Sequence, residues 1–439
     1  MSVRDRLRRL TGESSDPEKP QVEREAKIGE LRRRIEDILE RRPQSAQRSA
    51  ATSRPRPEYA PVGIEEVATG GEHDTPYGKV FVAEGEVDAG AFWGRRRLRE
   101  FGAINMNAAA RLARDERLAE VAPTDALFLD TETTGLAGGT GTLAFLIGVG
   151  WYEHDRFVTR LIFARDFTEE AAALWVLTRY VEAKRFLVTF NGRTFDTPLL
   201  AARFVLNRLP DPLAGMPHLD LLPPARRLVG HRLENSRLVT LEAEVLGVLR
   251  DGDIPGAEIP QRYFDFLHSR DARLVADILE HNRLDVVSMA VLTAHLAQLL
   301  ERGLQAEDAQ PADVVAAARL HLVRGDSATA EALLRELVRD CEAEACGAGG
   351  RELSLICKRG ARLGEAAAIW ERMLEVDPRD RFAGVEMAKW LEHSQKRFSE
   401  AIMIVRRLLE DPALTETEVR EQLAHRLRRL ERRAEKRTD

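Results

Sequence analysis

The chain has 439 residues, 44% of them hydrophobic, which is enough for two or three domains with an ordinary buried core. A net charge of −6 excludes a protein that binds nucleic acid by bulk basicity, but leaves room for a local basic surface. The basic start, Met1–Leu10, lacks the apolar block of a secretory signal, and the most continuous apolar run, 143–151, is under half the roughly 20 residues of a membrane span.

Residues 1–60 are charged, with a modest excess of Lys and Arg over acids and a Pro/Ser/Arg/Gln mixture from Pro43 to Pro61, as in disordered tails and linkers. Within them, Ile28, Leu31, Ile35, Ile38 and Leu39 fall at helical spacing. Residues 61–124 are expected to be a lead-in segment packing on the core. YGKVFVAEGEV, from Tyr77 to Val87, alternates as a hairpin or strand does. Phe92–Arg114 mixes basic residues with Trp93, Phe101 and Met106, which suits either nucleic-acid contact or packing.

A core domain spans 125–303. ALFLDTET, LAFLIGVGWYE and RFVTRLIFAR are three apolar runs separated by turns, hence three strands of one sheet. A helix over Phe167–Lys184, a strand in RFLVTFNG, a helix over Thr197–Asn207 and a strand in HLDLL follow. A meander followed by alternating helix and strand predicts an α/β fold, a mixed sheet flanked by helices. The loop Gly138–Thr142 lacks a P-loop lysine and precedes a strand, so it is expected to be a turn.

From 304 to 439 the chain becomes alanine-rich and helical, with a repeat of about 35 residues. Ala330, Ala366 and Ala401 each open a similar helix, and a small residue at a fixed position lets paired helices approach closely. This all-α region resembles tetratricopeptide repeats and is a candidate dock for a protein partner. A last helix, Glu418–Lys436, carries Leu423, Leu427 and Leu430 on one stripe. Cys341, Cys346 and Cys357 have no histidine cluster beside them and are expected to be helix-buried thiols rather than zinc ligands. So few cysteines fit a reducing cytoplasm.

Three motifs carry the chemistry. In Asp130-Thr131-Glu132 at a strand end, residues i and i+2 share a face, so two carboxylates point the same way out of an apolar strand. Asp196 closes FNGRTFD where a strand turns into a helix, a place that also suits a helix N-cap. His281 and Asp285 are four apart on a helix predicted over Leu274–Leu300, and therefore share a face.

Four acids in the order Asp, Glu, Asp, Asp with a histidine beside the last resemble the DEDD, or DnaQ-like, exonuclease superfamily, whose fold is ribonuclease-H-like. AGGTGTLAFLIGVGWYE, FNGRTFDTPLL, HLDLLPPARRL and GDIPGAEIP look like the YprB-type domain of that superfamily, which tends to carry tetratricopeptide repeats downstream. The resemblance implies a 3′-5′ exonuclease cutting nucleic acid, DNA or RNA, with two metal ions. Asp130, Glu132, Asp196 and Asp285 match the family's ligands for Mg²⁺ or Mn²⁺, and His281 matches its general base. In the histidine subclass that base precedes the last aspartate by five positions; here the spacing is four, as in the tyrosine subclass, so His281 could instead orient the water or bond a ligand. By the same resemblance Thr133, Gly135 and Leu136 would cradle the terminal nucleotide, with Asn191 and Phe195 at its sugar or base; core packing is the alternative for Leu136 and Phe195.

Overall fold

The computed structural model describes residues 60–135, 141–340 and 343–438. The expected helix at Ile28–Leu39, the tail around it, Leu136, most of the Gly138–Thr142 loop, Cys341 and the side chain of Cys346 lie outside the described residues. Cys357 is buried with a free thiol.

Seven strands form one mixed sheet, in the order β1-β2-β7-β6-β5-β8-β9. They are β1 (Gly70–Thr75), β2 (Gly78–Asp88), β5 (Ala126–Thr133), β6 (Ala144–Glu153), β7 (Arg156–Phe163), β8 (Phe186–Thr189) and β9 (His218–Asp220); β3 (Phe92–Trp93) and β4 (Arg96–Arg97) make a separate small hairpin. β5 runs parallel to β8, and β8 to β9, while the other pairings in the sheet are antiparallel. Of the hairpin or strand expected at Tyr77–Val87, the single strand β2 is what forms, and it extends the sheet by pairing with β7 from Phe81 to Asp88.

Strand alternation sorts the core into two layers. Val80, Val82, Leu127, Leu129, Ile147 and Val149 face α2 (Glu170–Val181) and α3 (Asp196–Leu206). On the opposite face Phe128, Phe157, Phe186 and Val188 meet α1 (Met106–Ala113), α4 (Leu222–Leu228) and the long α6 (Arg273–Arg302). Towards β2, Phe81, Phe145 and Phe163 pack with Tyr263 and Phe266 of α5 (Ile259–Ser269) and the start of α6. Phe101 stacks on Tyr152, with ring centroids 5.3 Å apart, and is fully buried, as Met106 nearly is; both therefore serve packing. Trp93, half-buried, donates its indole N–H to Ser288 at 2.8 Å.

No Pro or Gly interrupts the 30 residues of α6, and it ends at Gly303, whose φ of +54° a side-chain-bearing residue rarely adopts. By length and composition α6 could cross a membrane, but most of its apolar window is buried inside the protein.

Beyond it come α7 (Pro311–Val323), α8 (Ser327–Asp340), α9 (Ala343–Arg359), α10 (Leu363–Val376), α11 (Arg381–Trp390), α12 (Phe398–Leu409) and α13 (Thr417–Thr438), each packed on the next. Ala330, Ala366 and Ala401 are all completely buried, as their repeated position requires. Leu423 and Leu430 bury the stripe of α13. One apolar core runs without a break from Leu98, through α6, to Leu430.

Candidate metal centre

Asp130 and Glu132 follow Phe128 on the face of β5 that α6 covers. Gly148 of β6 stands opposite Asp130 in the register, and a Cβ there would lie 1.8 Å from Asn282 Oδ1. The missing side chain lets α6 press onto the sheet, and Asn282, fully buried, donates its Nδ2 to Asp130 Oδ2 at 2.8 Å. Among the described residues its Oδ1 is buried with no hydrogen-bond partner. Sequence reasoning missed Asn282, although it sits between His281 and Arg283; the glycines of IGVG, two apart on a strand face, were the signal that a helix comes close there.

The helical spacing of His281 and Asp285 works as expected, since His281 Nε2 is 3.8 Å from both Glu132 Oε1 and Asp285 Oδ2. On its other side His281 Nδ1 lies 2.6 Å from Asp253 Oδ1, in the GDIP segment. Burial would raise the Asp253 carboxyl, but the hydrogen bond with His281 and the charge of Arg250 hold it below the usual carboxylate range.

Arg250 is the second residue that sequence reasoning overlooked, because a lone arginine in a loop carries no motif. Only 3% exposed, it forms ion pairs with Glu242 at 2.7 Å, with Asp253 at 3.2 Å and with Asp285. Burial alone would lower its pKa; Glu242 and Asp285 overcome that and keep the guanidinium charged. Glu242, fully buried, is still held above its ordinary value by burial despite this pairing.

Asp196 is the first residue of α3 rather than its cap, and its carboxylate accepts a hydrogen bond from the Thr131 hydroxyl on the α2/α3 side of β5. Burial raises it to about 6, against the hydrogen bond from Thr131. Asp130 and Glu132 are held well above the carboxylate range, first by burial and then by repulsion from Asp285 and Asp196. The four predicted acids thus act on one another electrostatically, but two of them are engaged elsewhere: Asp196 with Thr131 and Asp285 with Arg250.

Among the described residues, only Glu331, Cys357 and Glu365 place ligand atoms all within 4.8 Å of one another, so the four acids are more loosely grouped than that. Glu331 and Glu365 are consumed in ion pairs with Arg335 and Arg362, which makes that trio a salt-bridge network. The acids on β5, α3 and α6 instead combine hard oxygen donors, burial and mutual repulsion that Arg250 offsets only in part, and this donor set fits a divalent cation.

The remaining predicted residues line the neighbouring turns. Thr133 donates its hydroxyl to the Gly135 carbonyl at 2.9 Å, and both are half-buried. Asn191, at φ +68°, begins a turn fixed by Asp220, which accepts from the backbone N–H groups of Asn191 at 2.7 Å and Arg193 at 3.1 Å. Phe195 is 57% exposed and takes no part in the core.

A family model described as the RNase H superfamily matches residues 127–297. Uncharacterized protein YprB of Bacillus subtilis (strain 168) is 33% identical over 309 residues, covering 70% of this chain and 74% of that protein. The chain belongs to the YprB family. Among solved structures, the family B DNA polymerase of Pyrobaculum calidifontis aligns with 54% of this YprB-family chain at 16% identity and a TM-score of 0.33, and the chain spans 29% of the polymerase's length. The seven-stranded mixed sheet with its flanking helices is therefore an RNase H-like domain of the YprB type, followed by an all-helical region.

Proposed function

We propose that this YprB-family protein is a divalent-metal-dependent nuclease of DEDD type that trims nucleic acid, DNA or RNA, from a single-stranded 3′ end. The observation that carries this reading is the group of buried carboxylates on β5 and α3 beside α6, all raised by burial, with Asp130 and Glu132 raised further by Asp285 and Asp196. Such a group is costly unless cations join it. In this reading Asp130, Glu132, Asp196 and Asp285 hold two Mg²⁺ or Mn²⁺ ions. When bound, such a pair supplies activation of the attacking water and stabilisation of the leaving 3′ oxygen.

His281 Nε2, facing Glu132 and Asp285, accepts the proton of the attacking water, while Asp253 fixes the ring through Nδ1. The exposed ring of Phe195 stacks on a base, and Thr133, Gly135, Leu136 and Asn191 hold the terminal nucleotide; such contacts are indifferent to sequence. Residues 125–303 form the nuclease domain, and 304–439 are tetratricopeptide-like repeats that dock a partner or guide substrate in the cytoplasm.

Loss of one ligand is expected to abolish turnover nearly completely. An Asp196→Ala protein that degrades single-stranded DNA and RNA as fast as the parent, with Mg²⁺ or Mn²⁺ present, would refute the reading.

The grip of Arg250 on Asp285 favours a second reading, in which an organic cation stabilises the centre and the protein is a nucleic-acid-binding scaffold. Calorimetry with Mn²⁺ separates the two: the nuclease takes up ions in a way that Asp130→Asn removes, and the scaffold takes up none.

A further inference from the structure

A second group of unrelieved charge lies where the helices of the sheet meet the helical region, on elements that carry none of the four acids. Arg114 ends α1 in a left-handed turn, at φ +60°; Arg227 lies on α4, and Arg324 follows the last turn of α7. Arg114 and Arg227 line a cavity of about 480 Å³ together with His231, Arg319 and the apolar Val315 and Val323. Arg319 pairs with Glu352 at 2.8 Å, and His231 lies 3.3 Å from Asp313. Among the described residues, however, Arg114, Arg227 and Arg324 have no carboxylate within 4.0 Å. Among the described residues the one side-chain hydrogen bond of Arg324 runs from Nη2 to the Arg111 carbonyl at 3.0 Å, and its Nε is buried with no partner.

Two of the three arginines are disturbed by their neighbours. Burial first, and then Arg114, lower the pKa of Arg227; burial, Arg114 and Arg227 lower that of Arg324, against a weaker pull from Glu116. A fold that spends its acids pairing arginines elsewhere has left Arg114 and Arg227 facing one cavity with no carboxylate in ion-pair reach, and Arg324 close enough to both to feel their charge. Guanidinium is planar and forked, and it matches phosphate oxygens two at a time. We propose that Arg114, Arg227 and Arg324 form a docking site for the sugar-phosphate backbone of a nucleic-acid strand.

The site rests on the nuclease reading only for the identity of the strand as substrate. Its basic groups come from three separate elements around a cavity far roomier than one phosphate, and its apolar walls, including the 73% exposed Val323, suit sugars and bases better than a small anion. It supplies the local basic surface that a chain of net charge −6 needs in order to hold nucleic acid.

The test is anisotropy of a short labelled single-stranded oligonucleotide in EDTA, with salt varied from about 50 to 200 mM. Arg114→Gln with Arg227→Gln should weaken binding about tenfold or more. It should also reduce the slope of log affinity against log salt by about 1.4, two contacts at roughly 0.7 each on single strands. Arg114→Lys with Arg227→Lys should keep most of the slope, and Arg179→Gln with Arg185→Gln, an equal charge change elsewhere, should leave it as in the parent. If the paired Gln protein melts early, Arg227→Gln alone carries the test with half the slope change. Unchanged affinity and slope would overturn the proposal, as would a parent that binds inorganic phosphate but no oligonucleotide. Without divalent ions the readout is blind to hydrolysis, so a chain that binds through these arginines yet never cuts would sink the nuclease reading and leave this site standing.

Discussion

Asn282 reaches Asp130 at 2.8 Å through space that exists only because Gly148 has no side chain. A Cβ at Gly148 would collide with a fully buried amide held between a helix and a sheet, and neither can retreat cheaply. Gly148→Ala should therefore destabilise the fold by about 1–3 kcal/mol, the usual range for overpacking. Denaturant unfolding would check this. Adding Asn282→Ala should recover part of the loss, and full additivity of the two changes would contradict the contact.

Arg250 is expected to matter most when metal is scarce. Removing one partner from a buried ion pair costs about 3–5 kcal/mol, so Arg250→Gln in EDTA should melt well below the parent. Mn²⁺ should narrow the gap, because a cation bound beside Asp285 replaces the positive charge that Arg250→Gln removes, and so adds more stability to the variant than to the parent. An Arg250→Gln protein with the parent's melting curve in EDTA would show that the guanidinium is not what steadies Asp285 and Glu242.

The sign of the pH dependence follows from Asp196. Its carboxyl rises from the usual 3.8 to about 6 on folding, so between those values the folded chain holds a proton that the unfolded chain has released. Stability must then fall as pH rises from about 4 to about 6, and Asp130 and Glu132, shifted the same way, extend the loss upward. In EDTA the melting temperature should decline across this window, and saturating Mn²⁺ should flatten the decline. A steady rise from about pH 5 to 7 in EDTA would contradict the raised carboxyls.

For His281, a base acting at Nε2 predicts that His281→Ala lowers kcat by about 10²–10⁴ with little change in KM. Rates measured from pH 6 to 9 decide it, and full activity throughout would remove the base while leaving the acids in place.

Topology of the substrate separates exonuclease from endonuclease. Linear single strands should be shortened from the 3′ end, while circular strands of the same sequence should survive. Cutting of circles would reassign the protein as an endonuclease on the same fold.

Much of the fold was legible because burial leaves a periodic record. LFLD, LIGVGW and FLVT read as strands, Leu274–Leu300 read as the helix that became α6, and the buried Ala330, Ala366 and Ala401 betrayed their helices through spacing alone. Asp130 with Glu132 and His281 with Asp285 were legible for the same reason, each pair set by the geometry of a single element. What crosses between elements left no such trace. Nothing local tells Asp285 to face Arg250, Asp196 to face Thr131, or Asn282 to fill the hollow at Gly148, since each depends on a register fixed only when sheet and helix meet. β1 and β2 joined the sheet for a similar reason: an alternating hairpin does not announce which edge it will extend.

The apolar core that continues from Leu98 through α6 to Leu430 has a thermodynamic consequence. Side chains that share one packed interior lose their neighbours together, so the sheet and the helices after Gly303 should melt in a single calorimetric peak. A chain cut after Gly303 would bare the flank of α6 that α7 now covers, trading solubility for brevity.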